Sequence, residues 1–208
     1  FNLKKNFIVL DDAINLKEFE NLKNKTVKNK FVYTGSFIKG KGIELILDLA
    51  AHFKNYKFFL YGNLDTFPKS LYPKKQMIKN LIVNDYIEYK KIPHVLKSAE
   101  FLLMPYPKKV GVLMQGINVE KYISPLKMFE YLAAKKIIFA SQNSAYKHIL
   151  INNFNSVIIE PENKTKWIKM INYVVNNKKK FDKLKKNSFN TAKKYTWEKR
   201  SEKIENFA

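Results

Sequence analysis

Short apolar runs alternate with segments of helical periodicity along most of the chain. The runs are rich in Ile, Val, Phe and Tyr, and several end at Gly, Pro or Ser, which is typical of buried strands that lead into turns. The candidate strands are residues 7–10, 31–35, 57–62, 86–89, 101–105, 136–141 and 156–160. The candidate helices are residues 43–53, 74–81, 93–98, 124–133 and 146–150, and the chain from 164 to its end. This alternation predicts βαβ units, and therefore a doubly wound α/β fold with helices on both faces of a parallel sheet.

Ligands of such sheets bind beyond the carboxyl ends of the strands, at the point where the strand order reverses. Backbone N–H groups and helix N-termini meet a bound molecule there. Ligand-binding residues are therefore expected in the loops that follow Gly35, Gly62, Tyr89, Met104 and Ser141.

The composition restricts the chemistry. The chain has no cysteine, which excludes disulfides, a thiolate nucleophile and Cys-based metal sites. The formal net charge is +21, but Arg200 is the only arginine, and arginine is the usual bidentate reader of phosphate and guanine. We therefore interpret the charge as a lysine-rich solvated surface and expect no nucleic-acid partner. A basic patch that faces a partner stays open as the alternative, with its densest part at residues 178–186.

The sequence favours a cytosolic protein. No window approaches the roughly 18 consecutive apolar residues that a membrane span needs, and the first residues, Phe-Asn-Leu-Lys-Lys, do not form a signal peptide. The chain also begins without Met, which suggests a piece of a longer protein. No metal site is predicted, because His52, His94 and His148 are scattered and the adjacent Asp11 and Asp12 are interpreted as solvated.

Two predicted loops are suited to phosphate. Residues 35–42 carry three glycines and two lysines between a strand and a helix, but they match neither the P-loop nor the dinucleotide fingerprint, so a plain turn is an equally good interpretation. Residues 124–127, Ser-Pro-Leu-Lys, begin a second helix with free N–H groups and a lysine. Glu130 follows on an apolar stretch, where an enclosed carboxylate needs donors such as ribose hydroxyls. Together these features suggest a site for a nucleoside diphosphate.

Several strings resemble the donor-binding half of group 1 glycosyltransferases with the GT-B fold. The strings are Tyr-Thr-Gly-Ser-Phe at 33–37 with Lys-Gly-Ile-Glu-Leu at 41–45, Ile-Pro-His at 92–94, Ser-Ala-Glu-Phe-Leu-Leu-Met-Pro at 98–105, and Ser-Pro-Leu-Lys-Met-Phe-Glu-Tyr-Leu-Ala-Ala at 124–134. Ile-Ile-Glu-Pro-Glu-Asn at 158–163 and Tyr-Thr-Trp-Glu at 195–198 follow in the same order. The resemblance covers most of residues 7–205, and the 124–134 string is its most specific part.

The resemblance implies a Rossmann-like domain that is one half of a GT-B enzyme. Residues 1–16 would be the inter-domain segment through which the chain enters, residues 17–190 the donor-binding domain, and residues 191–208 a C-terminal helix. The acceptor-binding half would be missing from this chain and would be its natural partner.

By the same resemblance, Lys41, Lys127 and Glu130 would be the catalytic groups. The two lysines would hold the donor diphosphate, and Glu130, the second Glu of the family's Glu-x7-Glu motif, would hold the ribose hydroxyls. The residues expected to line the substrate are Gly35, Ser36, Gly62, Ile92, Pro93, His94, Tyr122, Ser124, Pro125 and Leu126. Two of them depart from the family pattern, because Tyr122 stands where the first Glu would be and Ser36 stands where a basic residue is usual.

The implied reaction is the metal-free transfer of a sugar from UDP or GDP to an acceptor hydroxyl, with retention at the anomeric carbon, as in polysaccharide biosynthesis. No further cofactor is implied. The protein would be cytoplasmic, with a possible peripheral contact to an anionic membrane. Two alternatives stay open: a basic module that binds polyanions or membrane surfaces, and a glycosyltransferase-like domain that binds without transferring.

Overall fold

The sheet is parallel throughout. The computed structural model describes residues 7–20, 22, 25–110 and 123–207, and within these ranges it contains a six-stranded sheet in the order β3-β2-β1-β4-β5-β6. All five neighbouring pairs are parallel. The strands are β1 (Lys30–Thr34), β2 (Lys57–Tyr61), β3 (Leu81–Asn84), β4 (Phe101–Met104), β5 (Ile137–Ser141) and β6 (Val157–Ile159).

Helices cover both faces of the sheet. They are α1 (Lys17–Glu20), α2 (Ile43–His52), α3 (Tyr72–Gln76), α4 (Ile92–Ser98), α5 (Leu126–Ala133), α6 (Lys164–Asn176), α7 (Asp182–Ala192) and α8 (Trp197–Glu205). Short 3₁₀ segments lie at Leu64–Thr66, Lys69–Leu71, Tyr89–Lys91 and Lys178–Phe181. No helix in the described ranges is long and apolar enough to cross a membrane. The predicted α/β class with helices on both faces is confirmed.

The strands are apolar without interruption because each of their faces enters a separate core. In β1, Phe31 and Tyr33 belong to a cluster under α2 and α6, whereas Val32 belongs to the opposite cluster under α4, α5 and α7. The ring of Phe31 stacks on those of Phe58 and Phe101, each with a centroid distance of 4.7 Å. Burial on both faces is typical of doubly wound sheets.

The order of the strands creates a crevice between β1 and β4. From β1 the chain leads to β2 on one side, and from β4 it leads to β5 on the other, so the loops after these neighbouring strands diverge. Tyr131 ties α5 to this point, because its hydroxyl accepts a hydrogen bond from the Thr34 N–H (3.0 Å) and donates one to the Leu103 carbonyl (3.3 Å). These bonds hold α5 against the carboxyl ends of β1 and β4, and Lys127 in its first turn lies beside Gly35, just after β1.

Four predicted elements were wrong. Residues 7–10 pair with no strand in the described part of the chain, and the side chains of Phe7 and Val9 are 80% and 84% exposed. The third strand lies at Leu81–Asn84 rather than at 86–89, and the helix predicted for residues 74–81 ends at Gln76. Residues 146–150 form turns rather than a helix.

The errors at the strands and at residues 146–150 have different physical causes. A strand needs a neighbouring strand with which it can form hydrogen bonds, and an apolar run in the sequence does not show whether such a neighbour exists. Leu81–Asn84 has this neighbour, because it pairs with β2. In the 143–150 region the Asn143 side chain accepts a hydrogen bond from the Ala145 N–H (2.8 Å), and such side-chain bonds compete with helix formation. Pro125 is the N-cap of α5, so that helix begins at Leu126 instead of at the predicted Ser-Pro pair.

Candidate functional site

A cleft of about 390 Å³ opens at the carboxyl ends of β1, β2 and β3 and reaches the beginning of α5. Eight residues predicted from the sequence line it: Gly35, Ser36, Gly62, Ile92, Pro125, Leu126, Lys127 and Glu130. They come from four separate segments of the chain, so the fold brings together most of the predicted set.

The remaining predicted residues lie elsewhere. Lys41, Pro93, His94 and Ser124 do not line the cleft, and Tyr122 lies outside the described residues. The hydroxyl of Ser124 accepts a hydrogen bond from the Asp12 N–H (2.9 Å), which anchors the N-terminal segment. These assignments stay predictions.

Five further residues line the cleft and were not predicted from the sequence. These are Thr34, Tyr61, Asn63, Tyr86 and Ile87. Tyr86 and Ile87 belong to the loop after β3, which was assigned to a strand of its own. The β-branched pair in Leu-Ile-Val-Asn at 81–84 was the available signal, since a strand there puts Tyr86 and Ile87 in the loop at the binding edge.

The ammonium group of Lys127 is buried in the cleft floor. The residue as a whole is partly exposed, but Nζ is buried and has no hydrogen-bond partner among the described residues. It lies 3.9 Å from the ring centroid of Tyr33. Burial and the nearby ammonium group of Lys41 lower the pKa of Lys127 to about 7, although Glu130 acts in the opposite direction.

Glu130 lies one turn further along α5 and is only 6% exposed. Burial raises the pKa of its carboxyl group to about 7, against the opposing effect of Lys127, and Glu18 raises it further. Perturbed titratable groups in a cleft are typical of binding and catalytic sites. The pair thus offers one cationic group and one acceptor group, and both have a pKa of about 7.

The first turn of α5 adds unpaired N–H groups. In the part of the chain that the structure describes, no side chain caps the helix, and Met128 is the first residue of α5 whose N–H bonds back, to the Pro125 carbonyl (2.8 Å). No described group accepts a hydrogen bond from the N–H groups of Leu126 and Lys127, so both can donate to a ligand at the positive end of the helix dipole. This arrangement suits a phosphate group.

Glycines let the loops approach each other closely. A Cβ on Gly62 would overlap the carbonyl oxygen of Gly35. Gly35 itself has φ = +133°, and a Cβ there would lie 2.5 Å from Lys127 Nζ. Neither position accepts a larger residue without moving the cleft wall or the buried ammonium group.

No group of three or more His, Cys, Asp or Glu side chains that could hold a metal ion occurs in the part of the chain that the structure describes. The cleft instead combines an ammonium group, free backbone donors and a carboxylate, which together match an anion linked to a polyhydroxylated group.

The fold and the cleft define a Rossmann-like α/β domain with an anion-compatible site at its switch point. The family model described as "Glycosyl transferases group 1" matches residues 15–191. The chain therefore belongs to the group 1 glycosyltransferase family, and it corresponds to the C-terminal half of the GT-B fold.

Individual relatives agree with this placement. The chain is 25% identical over 207 residues to the uncharacterized glycosyltransferase MJ1178 of Methanocaldococcus jannaschii, and the match covers 95% of this chain and 52% of that protein. The chain therefore spans about half the length of this curated relative.

Two solved structures share the fold. One is the C-terminal domain of a glycosyl transferase group 1 family protein (LpcC) from Francisella tularensis, with a TM-score of 0.64 and 17% identity over 88% of this chain and 93% of that one. The other is Alr3699/HepE from Anabaena in complex with UDP-glucose, with a TM-score of 0.73 and 11% identity over 94% of this chain and 55% of that one.

Proposed function

We propose that this domain binds the nucleoside-diphosphate sugar of a retaining glycosyltransferase, with UDP-linked donors as the first candidates. The observation that carries the proposal is the buried ammonium group of Lys127 beside the free N–H groups of α5, with Glu130 one turn away. The similarity in fold to a protein crystallised with UDP-glucose supports the choice of UDP.

The diphosphate fits the beginning of α5. Its oxygens would accept hydrogen bonds from Lys127 Nζ, which has no partner among the described residues, and from the Leu126 and Lys127 N–H groups. Fixed donors of this kind also stabilise the charge that develops on the diphosphate as it leaves the sugar. The reaction would then need no metal ion for that purpose.

The ribose and the base fit the rest of the cleft. The carboxylate of Glu130 accepts hydrogen bonds from vicinal hydroxyls when it is ionised. Beyond it the loop after β3, with Tyr86 and Ile87, forms the outer wall, together with Ile92. Tyr86 is 72% exposed, so its ring is free to cover a bound base.

The acceptor half belongs to the same proposal. Because the chain spans about half of its curated relative, the remaining half of such a protein would hold the acceptor hydroxyl and close over the donor. The transfer reaction itself is therefore proposed for the two-domain protein, and donor binding for this domain.

Titration calorimetry with UDP, GDP and UDP-glucose tests the proposal. We expect saturable one-to-one binding of UDP and UDP-glucose, with GDP at least tenfold weaker. The same titration at two salt concentrations separates this site from a basic surface, because binding through many lysines weakens steeply with salt. If none of the three ligands bound, or if binding were unsaturable and vanished at moderate salt, the proposal would fail.

Gly35→Ala should displace the ammonium group of Lys127 and so weaken the site. The left-handed φ of +133° and the approach to Lys127 Nζ both oppose a Cβ, so we expect UDP binding to weaken about tenfold and stability to fall by about 1–3 kcal/mol. Gly40→Ala is the matched control, since Gly40 also has a positive φ of +86° but does not line the cleft. Urea unfolding should show a similar loss of stability in both variants. The UDP titration should show a loss of affinity only in Gly35→Ala.

A further inference from the structure

Lys127 and Lys41 lie over buried tyrosine rings, and the ring of Tyr106 is common to both. Lys127 Nζ lies 3.9 Å from the ring centroid of Tyr33 and 5.4 Å from that of Tyr106. Lys41 Nζ lies 5.3 Å from the ring centroid of Tyr106. Within the described residues Lys127 Nζ has no hydrogen-bond partner, so the ring faces are its closest favourable surroundings.

The rings are held rigidly. Tyr33 is 0% exposed and Tyr106 is 3% exposed. The Tyr33 hydroxyl donates a hydrogen bond to the Ser36 carbonyl (2.9 Å), which also fixes the loop after β1. Tyr33 lies near the end of β1 and Tyr106 just beyond the end of β4, so the crevice between these neighbouring strands brings the two rings together.

Lys41 lies near Tyr106 because the loops that contain Gly42 and Pro105 approach each other closely. Gly42 follows Lys41 and has φ = +80°, and a Cβ there would overlap the Pro105 carbonyl. The contact between Gly42 and Pro105 therefore positions Lys41 beside the ring of Tyr106, although Lys41 does not itself line the cleft.

An aromatic ring face can hold an ammonium group in position before an anion binds to it. A carboxylate in direct contact with Lys127 would form an ion pair that a diphosphate has to break, whereas a ring face stabilises the cation and leaves its N–H groups available to a ligand. Desolvation lowers the pKa of both ammonium groups, and the charge of Lys41 lowers that of Lys127 further. Among the described charged groups, Glu130 opposes these effects on Lys127.

We propose that Tyr33 and Tyr106 are positioning residues of the donor site, whose ring faces hold the ammonium groups of Lys127 and Lys41 in place for the diphosphate. This inference rests on the proposed function. The rings do not line the cleft themselves, and they act on the ligand through the two lysines.

The test compares variants that keep the ring with variants that remove it. In Tyr33→Phe and Tyr106→Phe the aromatic face remains, whereas in Tyr33→Leu and Tyr106→Leu it is lost. We expect each Leu variant to bind UDP about tenfold more weakly than the corresponding Phe variant, which is the size of effect that a desolvated cation–π contact provides. The Tyr106 pair keeps the test decisive if Tyr33→Leu fails to fold.

Phe101→Leu is the control for loss of a buried ring. Phe101 is 0% exposed and lies 5.4 Å from Lys178 Nζ, at the far end of the sheet from the cleft. It should lose stability to a comparable degree and keep its affinity for UDP, which separates the role of the rings from general destabilisation.

A second measurement needs no ligand. In protein labelled at lysine Cε and Nζ, the Lys127 signal is assigned by its absence from the spectrum of Lys127→Met, and its titration is followed by NMR. We expect the Lys127 transition to move to lower pH in Tyr33→Leu and to change little in Tyr33→Phe. The charged groups that also face this ammonium group, Lys41 and Glu130, are the same in both variants.

The outcomes distinguish the two proposals. If the unchanged domain did not bind UDP, the proposed function would fail, and with it the role of the rings. If the unchanged domain bound UDP but the Leu and Phe variants had equal affinities, or if the Lys127 titration were the same in both Tyr33 variants, only the role of the rings would be overturned.

Discussion

Lys127→Met should weaken the binding of UDP by about 100-fold, which is about 2.7 kcal/mol. The substitution keeps the length of the side chain and removes its charge. It therefore removes a charge-assisted contact to the diphosphate from a buried position, where water cannot replace it. Titration calorimetry at pH 7 measures the loss directly.

The pH dependence identifies the group responsible. Because the pKa of Lys127 is about 7 in the empty site, this lysine is charged below pH 7 and loses its proton above it. A diphosphate favours the charged form, so binding above pH 7 must take up a proton, and the affinity should fall with increasing pH. Lys127→Met should lack this fall between pH 7 and 9.

A surface lysine provides the control. Lys169→Met removes the same charge from an exposed position on α6 and should leave the affinity within about twofold of the unchanged domain, as expected for a screened charge. If Lys169→Met lost as much affinity as Lys127→Met, the overall basic surface and not the cleft would bind the ligand.

Glu130→Gln should weaken UDP binding by about 30-fold, or about 2 kcal/mol. The amide keeps the shape of the side chain but offers one acceptor oxygen and a donor group, where vicinal ribose hydroxyls need two acceptor oxygens. The substitution also leaves Lys127 without the carboxylate that raises its pKa, so part of the loss comes through the lysine.

The choice of ligand separates these two contributions. A diphosphate without ribose, such as inorganic pyrophosphate, should bind Glu130→Gln only slightly more weakly than it binds the unchanged domain, because it makes no contact with the carboxylate. Glu202→Gln, which removes the same charge from an exposed position on α8, should bind UDP normally. Equal losses for pyrophosphate and UDP in Glu130→Gln would contradict a ribose contact.

Some features of the site were recognisable in the sequence because they depend on neighbours in the chain. Pro125 just before an apolar helical stretch predicts a helix beginning, and Lys127 and Glu130 follow at a spacing that keeps both near it. The glycine loop after residue 34 was recognisable in the same way. Hydrogen bonds and periodicities of this kind span only a few residues, so the sequence reveals them.

Errors arose where the outcome depends on a distant partner. Residues 7–10 and Leu81–Asn84 are both apolar runs, but only the second has a neighbouring strand, β2, to pair with. The loop that holds Tyr86 and Ile87 was displaced for this reason, and two residues of the cleft wall were missed.

The sequence by itself determined the alternation of strands and helices, the charge and the residue types of the site. Only the tertiary structure decided which of them meet. The strand order brings Tyr33 at the end of β1, Tyr106 beyond β4 and Lys127 on α5 to one point, although they are far apart in the chain. Burial at that point leaves the Lys127 ammonium group without a hydrogen-bond partner among the described residues, and desolvation, which no local pattern encodes, lowers its pKa.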